Sequence, residues 1–321
     1  MPSRHYLTNQ TARRKCRLNG MRPSQRMPHK ATLQKQFSNY IQLSASELPR
    51  KANLRHDMTA IEDQSDIGSC VANAFAGAYE YLLKKSSGCV TDVSRLFIYY
   101  NARVKDEESD ENISDSGCTV TAAIEALEEF GTCLESIWPY YEKRVNKCPS
   151  DEAYAAAENN RIIDALQVKI NLYEMKSCLA QGYPFVFGLE LYKSFDQAAR
   201  KGIVPMPKLG ETSRESHGTH AMLAVGYSDY AQVFIVRNSW GEEWGNEGYC
   251  YIPYSYMTDP DLCSEPWTVR QLETDDMGRE HWDDDDSIDY QDDDDEETGD
   301  DGVIEEEEEK EEEDDNDEKD E

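Results

Sequence analysis

The chain has 321 residues, 38% of them hydrophobic, and a formal net charge of −32 at neutral pH. That length allows one large domain or two ordinary ones around a substantial core. The charge is segregated: residues 1–56 hold 12 Lys and Arg against the single acid Glu47, residues 57–274 hold 18 basic and 34 acidic residues, and residues 275–321 hold 3 basic and 30 acidic ones. The pattern reads as a basic arm (1–56), a mildly acidic globular body (57–274) and a polyacidic tail (275–321) too poor in apolar residues to order itself. The first 20 residues lack the apolar stretch of about 7–15 residues that marks a secretory signal, and no window approaches the roughly 18 apolar residues of a membrane span. An intracellular, reducing location with mostly free thiols is therefore expected for the 9 cysteines, which show no C-x-x-C pair.

In chain order, the first element of interest is the polar turn 63-DQSDIGS-69, where Gly68 permits close backbone approach. A helix is expected from Cys70 to Lys85, because Val71, Ala74, Phe75, Ala78 and Leu82 share one face and two lysines close the last turn. Further helices are expected from Thr119 to Phe130, ended by Gly131, and from about Glu152 to Asn160. The texture then changes to short apolar runs, Val186–Leu191, Ala221–Tyr227, Val233–Val236 and Tyr249–Ile252, separated by Gly, Ser and Asp, which reads as an antiparallel sheet. Helices followed by strands predict an α+β protein of two subdomains with a site in the cleft between them.

Four polar residues stand out against that pattern. Cys70 falls in the first turn of a helix, where unpaired amides and the helix dipole favour thiolate. His220 opens the apolar strand HAMLAVGY, where an imidazole could pair with that thiolate and protonate a leaving amine. Asn238, at the end of the VFIV run, could accept the other ring N–H and fix its tautomer. Gln64 could donate its amide, together with the Cys70 backbone N–H, to an oxyanion on a substrate carbonyl. Each alone has a plainer reading as a buried thiol, a structural histidine or a turn former. The pair in 217-HGTH-220 lacks a third ligand and a helical setting, so no metal is expected.

Together, the Gln-x5-Cys spacing of QSDIGSC, the HAMLAVGY strand and the block 238-NSWGEEWGNEGY-249 resemble the papain-like cysteine peptidases over about Asp57 to Met257. The resemblance implies a papain-like two-lobed fold, with a helical left lobe, an antiparallel β right lobe and the active site in the cleft. It implies Cys70 as nucleophile, His220 as base, Asn238 as its orienter and Gln64 as oxyanion donor, with Trp240 shielding the His220–Asn238 bond and Gly68 and Ser69 in support. The activity implied is that of an endopeptidase acting on polypeptides through a thioester acyl-enzyme, with no metal or organic cofactor. The fragments SRLFIYYNAR, TAAIEALEEFGTCLESIWPY and YPFVFGLELYKSF look like the compact branch of the family found in microbes and viruses. Ile67 stands where secreted members commonly have a bonded cysteine, Val71 where a tryptophan usually follows the nucleophile, and Thr219 where an acid often precedes the histidine. Two alternatives remain open: a catalytically silent papain-fold binding module, and a Cys–His acyltransferase or amidase.

The arm is too short for the long helical propeptide of lysosomal relatives. It reads either as a poorly ordered terminus or as a segment that packs along the body or covers the cleft before cleavage. Its RRKCR run lacks interleaved aromatics and shares a chain with a competing polyanion, which argues against nucleic acid as a partner; an arm–tail contact within the chain is the electrostatic alternative.

Overall fold

The computed structural model describes residues 6–9, 14–208, 210–211 and 218–270; the polyacidic tail and His217 lie outside the described residues. Four helices build one side of the molecule. The first, α1 (Cys70–Ser87), follows the expected periodicity but is buried on every face from Cys70 to Leu82, because it lies between the other helices and a sheet. It stops at Gly88, whose φ of +71° suits a residue without a Cβ and whose N–H reaches the Lys84 carbonyl at 2.8 Å. The second helix, α2 (Arg95–Glu107), is capped by the Ser94 hydroxyl accepting from Phe97 N at 3.1 Å. In α3 (Val120–Glu129) the same role falls to Thr119, and in α4 (Asp151–Ala157) to Ser150, which starts the helix one residue earlier and ends it three residues sooner than expected. A fifth helix, α5 (Leu172–Ala180), packs beside the sheet.

The strands are β1 (Tyr6–Asn9), β2 (Arg14–Arg17), β3 (Lys35–Gln36), β4 (Lys51–Asn53), β5 (Asp164–Gln167), β6 (Phe185–Glu190), β7 (Thr219–Ser228), β8 (Val233–Arg237), β9 (Tyr249–Pro253) and β10 (Cys263–Arg270). β1 and β2 form an antiparallel pair of their own. The others form one sheet in the order β3-β5-β10-β6-β7-β8-β9, with β4 also paired to β7. The ten-residue β7 serves two neighbours along one edge, β6 against Thr219–Ala224 and β4 against Gly226–Ser228. The expectation of a purely antiparallel sheet needs one correction, since β3 runs parallel to β5 at the edge.

The architecture is α+β, with helices against a sheet and α1 packed on β7. β3 and β4 come from the basic stretch before residue 57, yet they pair with β5 and β7 in the same sheet. A compositional shift marks a change in charge, whereas sheet pairing is a matter of backbone and ignores it.

Candidate active site

Cys70 is the first residue of α1 and is fully buried. The preceding loop is stiffened from within: Asp63 Oδ1 accepts the Ser65 N–H at 2.7 Å, Ser65 turns the chain at φ +52°, and Gly68 N donates to Asp115 Oδ1 at 3.0 Å. The Cys70 thiol accepts an N–H from Ala221, the residue after His220, at 3.5 Å. Burial pushes this thiol up to about 11, outweighing the amides of Ala221, Val71 and Gly20 and the charge of Arg17, which favour thiolate. The helix start is where the sequence puts it, but the lowered thiol pKa expected there is corrected by desolvation.

His220 is the second residue of β7, fully buried, with Nε2 2.8 Å from Asn238 Oδ1. Asn238 follows β8; its N–H is fixed on the Gly248 carbonyl at 3.0 Å, and its Oδ1 also accepts from Ser239 N at 2.9 Å. An amide oxygen that takes a backbone N–H must face its histidine as an acceptor, so Nε2 carries a proton and Nδ1 of the neutral ring is bare. That Nδ1 has no hydrogen-bond partner among the described residues. Trp240 stacks on the imidazole with ring centres 4.7 Å apart and is backed by Trp244 and Phe195. Burial lowers the histidine to about 4 against the opposing pull of Asn238. Burial thus favours the neutral form of both the thiol and the imidazole in this covered form.

Gln64 is fully buried. Its Oε1 accepts from Ser239 Oγ at 2.5 Å, its Nε2 donates to the Ile67 carbonyl at 2.9 Å and to the Arg17 carbonyl at 3.4 Å, and its own N–H donates to Ser239 O at 2.9 Å. The four expected residues therefore belong to one connected cluster, and Ser239 is the link between Asn238 and Gln64 that sequence reasoning left without a role. Gly68 and Ser69 line the same turn, each for a visible reason. Gly68 faces the Arg17 guanidinium, 2.9 Å from where a Cβ would stand, and Ser69 shares its hydroxyl with Tyr140 at 2.6 Å.

Part of the basic arm covers the cluster, one of the two readings its sequence left open. Residues 17–22 cross it: Arg17 N donates to Ser65 O at 3.3 Å, Cys118 N to Gly20 O at 3.1 Å, Met21 N to Thr219 O at 3.4 Å and Arg22 N to Cys118 O at 3.0 Å. Met21 pairs in parallel with Cys118 and drops its thioether where a Cβ on Gly188 would stand. Gly20 must be a glycine, because a Cβ there would lie 2.7 Å from Gly68 and 2.9 Å from the Cys70 sulfur. The Arg17 guanidinium pairs with Asp115 at 2.6 Å, both side chains almost wholly buried.

Ile67 and Val71 are buried, and the Thr219 hydroxyl donates to Glu190 at 2.5 Å. All nine cysteines are free thiols. Among the described residues no cluster of three or more His, Cys, Asp and Glu could hold a metal ion, and no helix is long and apolar enough to cross a membrane.

Comparisons with known proteins give the family. Residues 48–264 match the family model described as papain family cysteine protease. A peptidase C1-like protein of Acanthamoeba polyphaga mimivirus, L477, is 35% identical over 221 residues, covering 65% of this chain and 69% of that one. Cathepsin K of Mus musculus is 26% identical over 199 residues, and the match spans 56% of its length. Among solved structures, xylellain, a cysteine protease from Xylella fastidiosa, is similar with a TM-score of 0.67 and 31% identity over 80% of this chain and 97% of that one.

Proposed function

The chain belongs to the papain family of cysteine proteases and is a peptidase, a hydrolase; from that premise we propose that Cys70, His220, Asn238 and Gln64 carry the reaction. The observation that supports this most directly is the buried His220–Asn238 bond under Trp240, with the Cys70 thiol held by the amide next to His220. With Nε2 engaged by Asn238, Nδ1 is the ring atom left to take the thiol proton. The resulting thiolate attacks the scissile carbonyl carbon, and the carbonyl electrons move onto oxygen, stabilised by N–H donation from Gln64 and the Cys70 backbone. The Nδ1 proton passes to the amine as the C–N bond breaks, leaving a thioester. Water then gives a proton to Nδ1 and its hydroxyl to the acyl carbon, the C–S bond breaks to release the acid, and the Nδ1 proton returns to the sulfur to restore the thiol.

The form described is a covered one, and the reading extends to the arm: residues 17–22 act as a built-in stopper that must leave before a substrate can enter. Two facts support this, the position of Gly20 against the Cys70 sulfur and the Arg17 carbonyl at the Gln64 amide. An extended chain that enters and leaves the groove also suits cleavage within a polypeptide, because the groove then takes chain on both sides of the reacting bond.

The test is the mass of the intact protein after an epoxysuccinyl or iodoacetamide-type probe at neutral pH, before and after the arm is nicked, in the wild type and in Cys70→Ala. One adduct that forms rapidly only after nicking, and never in Cys70→Ala, is the expected outcome. Equal labelling of several cysteines in both proteins would turn the reading towards a silent binding module. A fluorogenic peptide assayed with an added amine separates hydrolysis from acyl transfer, the former giving only free acid.

A further inference from the structure

Tyr140 lies 76 residues from Gln64 in sequence, yet its hydroxyl donates to the Gln64 carbonyl at 2.9 Å and meets the Ser69 hydroxyl at 2.6 Å. The direction of the chain of bonds is fixed by the Gln64 carbonyl, which can only accept and so takes the Tyr140 O–H. Asn73 Nδ2 can only donate, and it reaches Ser69 Oγ at 3.0 Å and Ser69 O at 2.9 Å. Ser69 Oγ–H then donates to Tyr140, and Tyr140 O–H donates to Gln64. Burial pushes the phenol well above its ordinary pKa, so the hydroxyl stays a donor across the whole working pH range.

The tyrosine is itself pinned. Its ring lies under the Arg95 guanidinium, 4.2 Å from the ring centre, and Arg95 is held by Glu62 at 2.7 Å and by Glu135 at 3.5 Å. The Tyr140 backbone N–H also donates to Glu135. Residues 64 and 69 are the shoulders of the loop whose two ends supply the N–H groups of Gln64 and Cys70. Inside that loop Ser65 sits at φ +52°, and the Gln64 carbonyl accepts from Ile67 N at 3.2 Å as well as from the phenol. A single phenol thus bridges both shoulders.

We infer that Tyr140 is a positioning residue for this peptidase: through its two hydrogen bonds it holds the Gln64 and Cys70 donors at the spacing an oxyanion requires. The inference rests on the proposed role of Gln64 and Cys70. Its chemistry is that of preorganisation, since donors set before the reaction need not be reoriented as charge develops on the carbonyl oxygen.

Tyr140→Phe keeps the ring under Arg95 and removes both bonds. It is measured in the full chain, nicked in the arm until the wild type reaches its maximal turnover of a fluorogenic peptide, alongside Gln64→Ala and the double variant. The expected result is a fall in kcat of roughly tenfold or more with KM within about twofold, and no further fall when Tyr140→Phe is added to Gln64→Ala. A kcat within about twofold of wild type, a change confined to KM, or a fall that multiplies onto Gln64→Ala would overturn the inference. Undiminished turnover in Gln64→Ala, or none in the nicked wild type, would instead remove the proposed mechanism and this inference with it, a result recognisable from those proteins alone. Should Tyr140→Phe lose its cooperative melting transition, Ser69→Ala, which deletes the hydroxyl partner and spares the ring, is judged by the same two criteria.

Discussion

Residues 17–21 and residues 22–35 are consecutive stretches of the same basic arm, yet different forces hold them. In the first, Arg17 and its partner Asp115 are 1% and 4% exposed, Gly20 meets backbone on Gly68, and Met21 is buried. In the second, Arg22 pairs with Glu107, Arg26 with Glu125, Lys30 with Glu128 and Lys35 with Asp164, and the Arg22 and Lys30 side chains are 43% and 55% exposed. Exposed pairs contribute about 0–1 kcal/mol each and weaken with salt, whereas a buried pair broken on one side costs several. The stretch in the cleft thus owes its hold to shape and desolvated charge, and the stretch along the body to four pairs whose basic member stays within reach of water.

The sharpest way to break that contrast is Arg17→Ala. It leaves the Asp115 carboxylate enclosed beside the Tyr99 hydroxyl and the Gly68 amide but without its guanidinium, and should cost about 3 kcal/mol, read by thermal unfolding and by hydrogen exchange over residues 17–22. A loss no larger than that of Arg22→Ala would abolish the distinction. Next in size is Gly20→Ala, where overpacking of about 1–3 kcal/mol should speed alkylation of Cys70 in the full chain by roughly 5- to 150-fold. An unchanged alkylation rate would mean that the arm does not guard the thiol.

A third measurement follows the histidine. Its depressed folded pKa means that its contribution to stability is whole above 6.5 and is lost as pH falls towards 4. Glu80 and Glu265, each raised to about 7 by burial, act oppositely: their contribution is whole below 4.5 and is lost as pH rises towards 7. The two trends overlap and blur any melting curve, so the imidazole itself is the readout. In the full chain its NMR signals should titrate near 4, and in Gly20→Ala, where water regains the site, nearer 6.5. The smallest effect is that of Arg22→Ala or of raising salt to about 0.5 M, each expected to change arm exchange by less than about 1 kcal/mol and to leave Cys70 alkylation nearly unchanged.

What could be read in advance divides along similar lines. The residues of the cluster were legible because their identity and spacing are local: Gln64 and Cys70 flank one turn, and Asn238 sits in one dense block with Trp240. α1 was legible through its apolar face, and β6 to β9 through short apolar runs. α2 escaped because Arg95, Asn101 and Arg103 occupy buried positions, satisfied by partners far along the chain, such as Glu62 and Asn146. β10 escaped because Pro266 and a bulge between Ser264 and Trp267 interrupt its alternation. The arm's course depends on pairs such as Arg17–Asp115 and Lys35–Asp164, 98 and 129 residues apart, which no local pattern encodes. The burial that raises the thiol's pKa was hidden for the same reason, since the helix start is local and the chain over it is not.

The pairing of β3 with β5 and of β4 with β7 sets a frame on any maturation cut. A scission between Arg22 and Gln34 would free the stopper and leave every ladder of the sheet intact, while one beyond Lys35 would strip an edge strand, and one beyond Asn53 would also take away the neighbour of Gly226–Ser228. The ripened chain should therefore begin within this window of a dozen residues, and its first residue can be read directly by N-terminal sequencing.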